Sequence, residues 1–217
     1  MTVTGKQTKY GMESFFLVPR ENLQRLVPER LALFSRLRYG AISIGAWYHA
    51  NAYVDERSYG PVLEAWVAVE IEHDKKRYAV PLVTYNNSRE YSEPVNTIFK
   101  FSKEYADLRW KEGARSHVLE VWKDRQLILR FSGRATWIPT PIPYSRPRSC
   151  WLIKGDDAYI AEIDMVPTKS RLAFTSINIP EDSPLSHVAA LLKGPLKLSV
   201  LFSDASLRTP EPTKVSS

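Results

Sequence analysis

The stretch Val62-Leu63-Glu64-Ala65-Trp66-Val67-Ala68-Val69-Glu70-Ile71-Glu72 decides the architecture. Its side chains alternate strictly, with Leu63, Ala65, Val67, Val69 and Ile71 on one face and Val62, Glu64, Trp66, Ala68 and Glu70 on the other, which is the period of two that belongs to a β-strand. A charged turn from His73 to Arg77 leads into a second run of β-formers, Tyr78 to Tyr85, so the two read as a hairpin. Glu64 admits two readings. Either Glu64 and Glu70 mark a solvent face and the Leu63 to Ile71 face is core, or the apolar company of Val62, Trp66 and Ala68 makes the Glu64 face an interior one.

Similar signals continue outward in both directions. Upstream, Tyr39 to Val54 combines β-formers with small residues, and Pro19 to Pro28 has Leu23, Leu26 and Val27 at helical spacing between two prolines. Downstream, Asn86 to Lys100 is rich in turn formers and interrupts the sheet before Phe101 to Trp110. Strands are expected again at His117 to Trp122 and Gln126 to Trp137, and the proline-rich stretch Pro139 to Pro147 reads as an extended loop. Gly155, Asp156 and Asp157 form a turn between Trp151 to Lys154 and Ala158 to Val166. A strand at Arg171 to Ile179, a helix at Pro184 to Lys193 stopped by Gly194 and Pro195, and a last strand at Leu196 to Leu207 complete the chain. Many strands with short turns and two short helices predict a mainly β (α+β) fold, a closed or cone-shaped antiparallel β-barrel. Residues 1–217 are expected to form a single domain, with 1–13 and 210–217 as peripheral tails.

Composition narrows the class. A hydrophobic fraction of 44% and 12% aromatics exceed what a disordered chain carries, and no run approaches the roughly 18 apolar residues of a membrane span. The polar stretch Met1 to Tyr10 lacks the apolar core of a secretion signal, and Cys150, the one cysteine, can form no intramolecular disulfide, so a cytoplasmic protein is expected. The net charge of +6 is spread along the chain. Its densest groups, Lys75 to Arg77 and Arg146 to Arg148, fall in loops without interleaved aromatics, which argues against nucleic acid and suits an anionic small molecule. Phosphate-binding glycine loops and Gly-x-Ser-x-Gly elbows are absent. His49, His73, His117 and His187 lie at least 24 residues apart and read as surface or packing residues, so no metal is expected. Cys150 reads as a small apolar filler.

Phe15 to Leu31, with Val27-Pro28-Glu29 after a short helix, is similar to the opening of the acetoacetate decarboxylase family. Tyr59 to Trp110 resembles its central block of a glutamate-bearing strand, charged turn, return strand, bend and lysine motif, and Gly194 to Pro210 resembles its last strand. The lysine motif here is Lys100-Phe101-Ser102-Lys103-Glu104-Tyr105, where the family has roughly Gly-Phe-Pro-Lys-Lys. Lys100, Ser102 and Glu104 therefore replace a glycine, a proline and a second lysine. The resemblance implies that Lys103 takes the place of the Schiff-base lysine and Glu64, 39 residues earlier, that of a catalytic glutamate. It implies a further carboxylate on the preceding strand, with no counterpart in Ile42 to Tyr48, and an N-terminal arginine matched only by Lys9.

A lysine attacks a ketone only as the neutral amine, so its ordinary pKa of about 10.4 must fall through burial or a nearby cation. Phe101, Tyr105 and Leu108 are the expected apolar wall, Trp66 a pocket residue, and Lys100 the cation that lowers the pKa, whereas Glu104 would oppose it. The expected activity is a Schiff-base lyase on an oxo acid, either a decarboxylase or an aldolase, dehydratase or cyclase variant in secondary metabolism, with Lys103 as nucleophile, Glu64 as proton shuttle and no cofactor. The alternative is a barrel that binds a hydrophobic ligand, or cyclises a polyketide-like one, without an imine. Trp47, Tyr48, Trp66, Trp137 and Trp151 would suit such a pocket. The expected partner is a small-molecule oxo acid or hydrophobic ligand, with neither nucleic acid nor membrane. An exposed edge strand would allow a homo-oligomer.

Overall fold

The computed structural model describes residues 3–29, 31, 35–36, 39–140, 148–166, 169–193 and 196–215. In chain order the elements are β1 (Val3–Pro19), α1 (Arg20–Gln24), β2 (Ser35–Arg36), β3 (Tyr39–Val54), β4 (Arg57–Ser58), β5 (Val62–His73), β6 (Lys76–Asn86), α2 (Arg89–Ile98), β7 (Lys103–Tyr105) and β8 (Asp107–Glu112). There follow β9 (Ser116–Lys123), β10 (Gln126–Pro139), β11 (Arg148–Lys154), β12 (Asp157–Val166), β13 (Lys169–Asn178), α3 (Ser186–Ala189), a 3-10 turn at Leu191–Lys193, β14 (Leu196–Pro210) and β15 (Thr213–Lys214).

Local chemistry sets the hairpins. Asp74 and Lys75 have φ of 51° and 62°, and Asp124 and Arg125 have 50° and 66°. Two successive left-handed residues make the tight turn whose twist matches antiparallel strands, which joins β5 to β6 and β9 to β10. The expected turn at Gly155 is also present, between β11 and β12.

Neighbouring strands run in the order β12-β11-β6-β5-β3-β1-β14, and β14 pairs back onto β12 through Asp164↔Arg208 to Val166↔Ser206, which closes a ring of seven strands. From β14 the sheet continues through β13, β10, β9 and β8. This branch curls over the opposite face of β1, β3 and β5, where Met12, Ile44, Val67, Leu119, Leu129 and Phe131 form the main core. Inside the ring a second cluster joins Trp47, Cys150, Leu152, Ile163, Met165 and Phe202. Both faces of β5 are therefore buried, and the choice between a core face and a Glu64 face does not arise. Ala65, Val67, Val69 and Ile71 pack in the main core, while Glu64 and Trp66 face the ring.

Four expectations change. Residues 1–13 are not a peripheral tail. Val3 onward forms a central strand paired with β3 on one side and β14 on the other. Asn86 to Lys100 contains α2, capped by the Ser88 side chain accepting from the Tyr91 N–H, because the turn formers at its start are a helix cap. The two other helices are shorter than expected, five residues at α1 and four at α3. The sheet is mixed, since β7 and β11 each pair with β6 in parallel. Residues 141–147 of the expected proline loop, and Gly194 and Pro195, lie outside the described residues.

Candidate functional site

The centre lies at one end of the ring, beneath α2. From β5, Glu64 is 2% exposed, and three donors from three other strands converge on it. Lys103 of β7 donates to Oε1, Lys6 of β1 donates to Oε2 at 2.6 Å, and His49 Nε2 of β3 lies 3.1 Å from Oε2. Alternation explains the convergence. Glu64 is the direct partner of Trp47 on β3 and of Asn86 on β6, and Lys103 is the partner of Thr84 in the same pleat, so all of these side chains share the ring face.

Lys103 is held at both ends. Its backbone N–H donates to Asn96 Oδ1 at 2.8 Å and its carbonyl accepts from Asn96 Nδ2 at 2.9 Å, which ties β7 to α2. Its side chain is 4% exposed, and the amine lies 5.3 Å from the Phe101 ring centre and 5.6 Å from that of Tyr91. Burial lowers the Lys103 pKa, with Lys6 adding to the fall and Glu64 opposing it. For Glu64 burial acts upward, but Lys103, Lys6 and the His49 hydrogen bond outweigh it and hold the carboxyl well below the usual range. His49 is pushed down to about 4, first by burial and then by Lys6, so the imidazole is neutral. Thr8 Oγ1 lies 2.8 Å from Nδ1. A neutral ring that donates from Nε2 to the Glu64 carboxylate must accept at Nδ1, so Thr8 is the donor there. Burial likewise raises the Tyr91 phenol, whose hydroxyl is 3.2 Å from Thr4 Oγ1.

Of the residues expected from the sequence, Lys103, Glu64 and Phe101 come together here, with Trp66 edge-on to Trp47 nearby. Lys100 does not act on Lys103. It follows the end of α2 with φ of 59°, and its amine donates to the Thr97 carbonyl. Glu104 and Tyr105 lie outside the pocket. Strand alternation turns Glu104 outward to Lys123, at 2.7 Å, so it does not oppose Lys103, and Tyr105 is 46% exposed. Tyr105 helps to line a surface cleft of about 470 Å³ with Arg89, Arg109 and Trp122, away from the centre. Leu108 packs in the main core. Lys9 is exposed and donates to Glu112 at 3.2 Å, because it stands three positions after Lys6, an odd step that turns it to the opposite face, and the strand is bulged between Gln7 and Tyr10. The N-terminal cation is thus Lys6.

Tyr91, Thr8 and Asn96 carried no site signal in the sequence, and His49 read there as a surface or packing residue. The strand before Glu64, on which the resemblance implied a second carboxylate, brings His49 instead, one residue beyond the range considered. Among the described residues no cluster of His, Cys, Asp and Glu could hold a metal ion, and no helix is long and apolar enough to cross a membrane.

No protein-family profile and no curated protein matches the sequence. Solved structures do. Acetoacetate decarboxylase from Legionella pneumophila superimposes with a TM-score of 0.79 at 10% identity over 98% of this chain and 87% of that one. An acetoacetate decarboxylase-like enzyme from Sphingomonas wittichii gives 0.72 at 11% identity over 99% and 93%. The enduracididine biosynthesis enzyme MppR, complexed with the condensation product of pyruvate and imidazole 4-carboxaldehyde, gives 0.70 at 10% identity over 99% and 88%. Nearly the whole chain is covered in each case, and the strand ring and the branch across its outer face are included in it. The chain has the acetoacetate decarboxylase-like fold.

Proposed function

We propose that the protein is a Schiff-base-forming lyase acting on a small oxo acid, with Lys103 as nucleophile and Glu64 as proton shuttle. The observation that carries this reading is a lysine amine almost wholly removed from water and in hydrogen-bond contact with a buried carboxylate. Desolvation, with Lys6 adding to it, disfavours the ammonium against the pull of Glu64, and the carboxylate is placed to relay protons beside the amine. The free amine then attacks the carbonyl carbon, a C–N bond forms, and the carbonyl oxygen leaves as water. The protonated imine draws the electron pair of the neighbouring C–C or C–H bond as that bond breaks, giving an enamine. Where a C–H bond breaks, Glu64 takes that proton and returns it to carbon, and where CO₂ leaves, the proton for carbon comes from water by way of Glu64; water then cleaves the imine to free Lys103. Loss of CO₂ is one outcome, and aldol, dehydration or cyclisation chemistry uses the same imine. Pyruvate and its condensation product in complexes of the structurally similar MppR support an oxo acid as the class of ligand.

The second reading is a barrel that binds a ligand without covalent chemistry. What favours it is that Glu64 accepts from Lys103 and Lys6 together, an arrangement that also suits a resting ion-pair network. Borohydride separates the two. Reduction in the presence of acetoacetate or pyruvate should add the reduced ketone to the intact mass, on Lys103, and Lys103→Ala should abolish the adduct. An unchanged mass with a range of oxo acids leaves the binding module.

A further inference from the structure

The cleft on the outer side of β7 is a second place where charge gathers. Its volume of about 470 Å³ lies within the range of about 300–1,000 Å³ usual for small-molecule sites. Three elements far apart in the chain bring guanidinium groups to it. Arg89 opens α2, Arg109 stands on β8, and Arg125 lies in the turn between β9 and β10. Two of them rest on aromatic rings, Arg89 at 4.5 Å from the Tyr105 ring centre and Arg109 at 5.2 Å from that of Trp122. Stacking holds a guanidinium in place while leaving the N–H groups of its edge to meet an oxyanion. Part of the charge is answered within the protein. Asp107 accepts from Nε and Nη2 of Arg109 at 3.0 and 2.6 Å, and Glu104 accepts from Lys123 at 2.7 Å. With Asp124 beside Arg125, four cations (Arg89, Arg109, Lys123, Arg125) face three carboxylates, and Arg89 and Arg125 make no ion pair among the described residues.

We propose that this cleft is a second ligand site, for a phosphate monoester held between Arg89 and Arg125, and that its occupation steadies Lys103. A carboxylate offers two oxygens in one plane. A phosphate monoester offers three around a tetrahedron, which suits donors that arrive from α2 and from the β9–β10 turn, and its charge of about −1.5 to −2 answers the excess. The link to the ring end is short. Tyr105 is two residues after Lys103 on β7, the Ala106 N–H donates to the Asn86 carbonyl at 2.9 Å just ahead of α2, and Asn96 of α2 holds the Lys103 backbone. A ligand bridging Arg89 to Arg125 therefore ties α2 to the β8–β10 branch across the strand that carries the amine.

Affinity and hydrogen exchange test this independently of the chemistry at Lys103. In calorimetric titration at about 0.15 M salt, where diffuse attraction is screened, adenosine monophosphate should bind at least about tenfold more tightly than adenosine, and inorganic phosphate should displace it more readily than acetate does. Arg89→Gln and Arg125→Gln should each weaken the nucleotide by roughly tenfold, as expected for a lost charged hydrogen bond. Lys76→Gln, which removes a charge at the start of β6, should leave its binding unchanged. All three side chains are exposed, so the variants test binding and not folding. Backbone amides of α2 and β7 should exchange more slowly in the bound protein. Adenosine held as tightly as its monophosphate, acetate displacing it as well as phosphate, no binding of either phosphate compound at about millimolar concentration, or equal weakening by Lys76→Gln would overturn the site. Binding with exchange at α2 and β7 unchanged would overturn its link to Lys103.

Discussion

At the scale of single residues, Glu64 is the hub, since lysines from two strands and a histidine from a third meet its two oxygens. Glu64→Gln leaves two ammonium groups without their counter-ion. It should cost about 3–5 kcal/mol in denaturant unfolding, and if the carboxylate moves the proton, trapping should fall by about 10²-fold or more. The same cluster sets an acid limit. The unfolded chain protonates His49 at its ordinary value of 6.5, but the folded chain does so only at about 4. The unfolded state therefore binds more protons in that interval, and stability falls as pH drops through it. Glu64 is held low in the fold, so it adds a further loss below its ordinary 4.5. Denaturant midpoints measured from pH 7 to 4 should decline in wild type, while His49→Gln, which keeps a donor toward Glu64 but cannot titrate, should flatten the upper part of the curve. An equal decline in the variant would mean that His49 does not set this limit.

At the scale of elements, α2 decides where the amine stands. Tyr91, Val95 and Phe99 recur every fourth residue and bury one face of the helix and its cap over the ring end, and Asn96 on the same helix clamps the backbone of Lys103. Asn96→Ala removes both bonds and should cost about 1–3 kcal/mol in thermal or urea unfolding. Asn96→Asp, which keeps the acceptor for the Lys103 N–H, should recover part of it. The helix was legible in that spacing of four, but Asn86, Asn87, Ser88 and Pro94 masked it, because residues that cap a helix also make turns. For β1 the obstacle was different. Thr4, Lys6 and Thr8 face the interior yet are polar, so the hydrophobic alternation that marks a strand is missing where the strand serves the site.

At the scale of the whole molecule, two packed interiors share β1, β3 and β5, and small residues let large rings close the inner one. A Cβ on Gly45 would fall 2.2 Å from the Trp66 ring, and one on Gly11 would fall 2.0 Å from the Phe202 ring. Gly45→Ala should push Trp66 off its place beside Trp47, with an overpacking cost of about 1–3 kcal/mol. Tryptophan fluorescence and the unfolding midpoint should both shift, and an unchanged spectrum would show that Trp66 can move aside freely.

By itself the sequence determined the strand-rich class and most hairpins, which rest on local periodicity and turn chemistry, while Lys103 and Glu64 were singled out by a resemblance to a family motif. Tertiary structure alone decided that both faces of β5 are buried, that Lys6 rather than Lys9 reaches the centre, and that His49 is a neutral partner of Glu64. These depend on the ring closing through β12 and β14 and on a bulge in β1, contacts between residues far apart in the chain that no local pattern encodes.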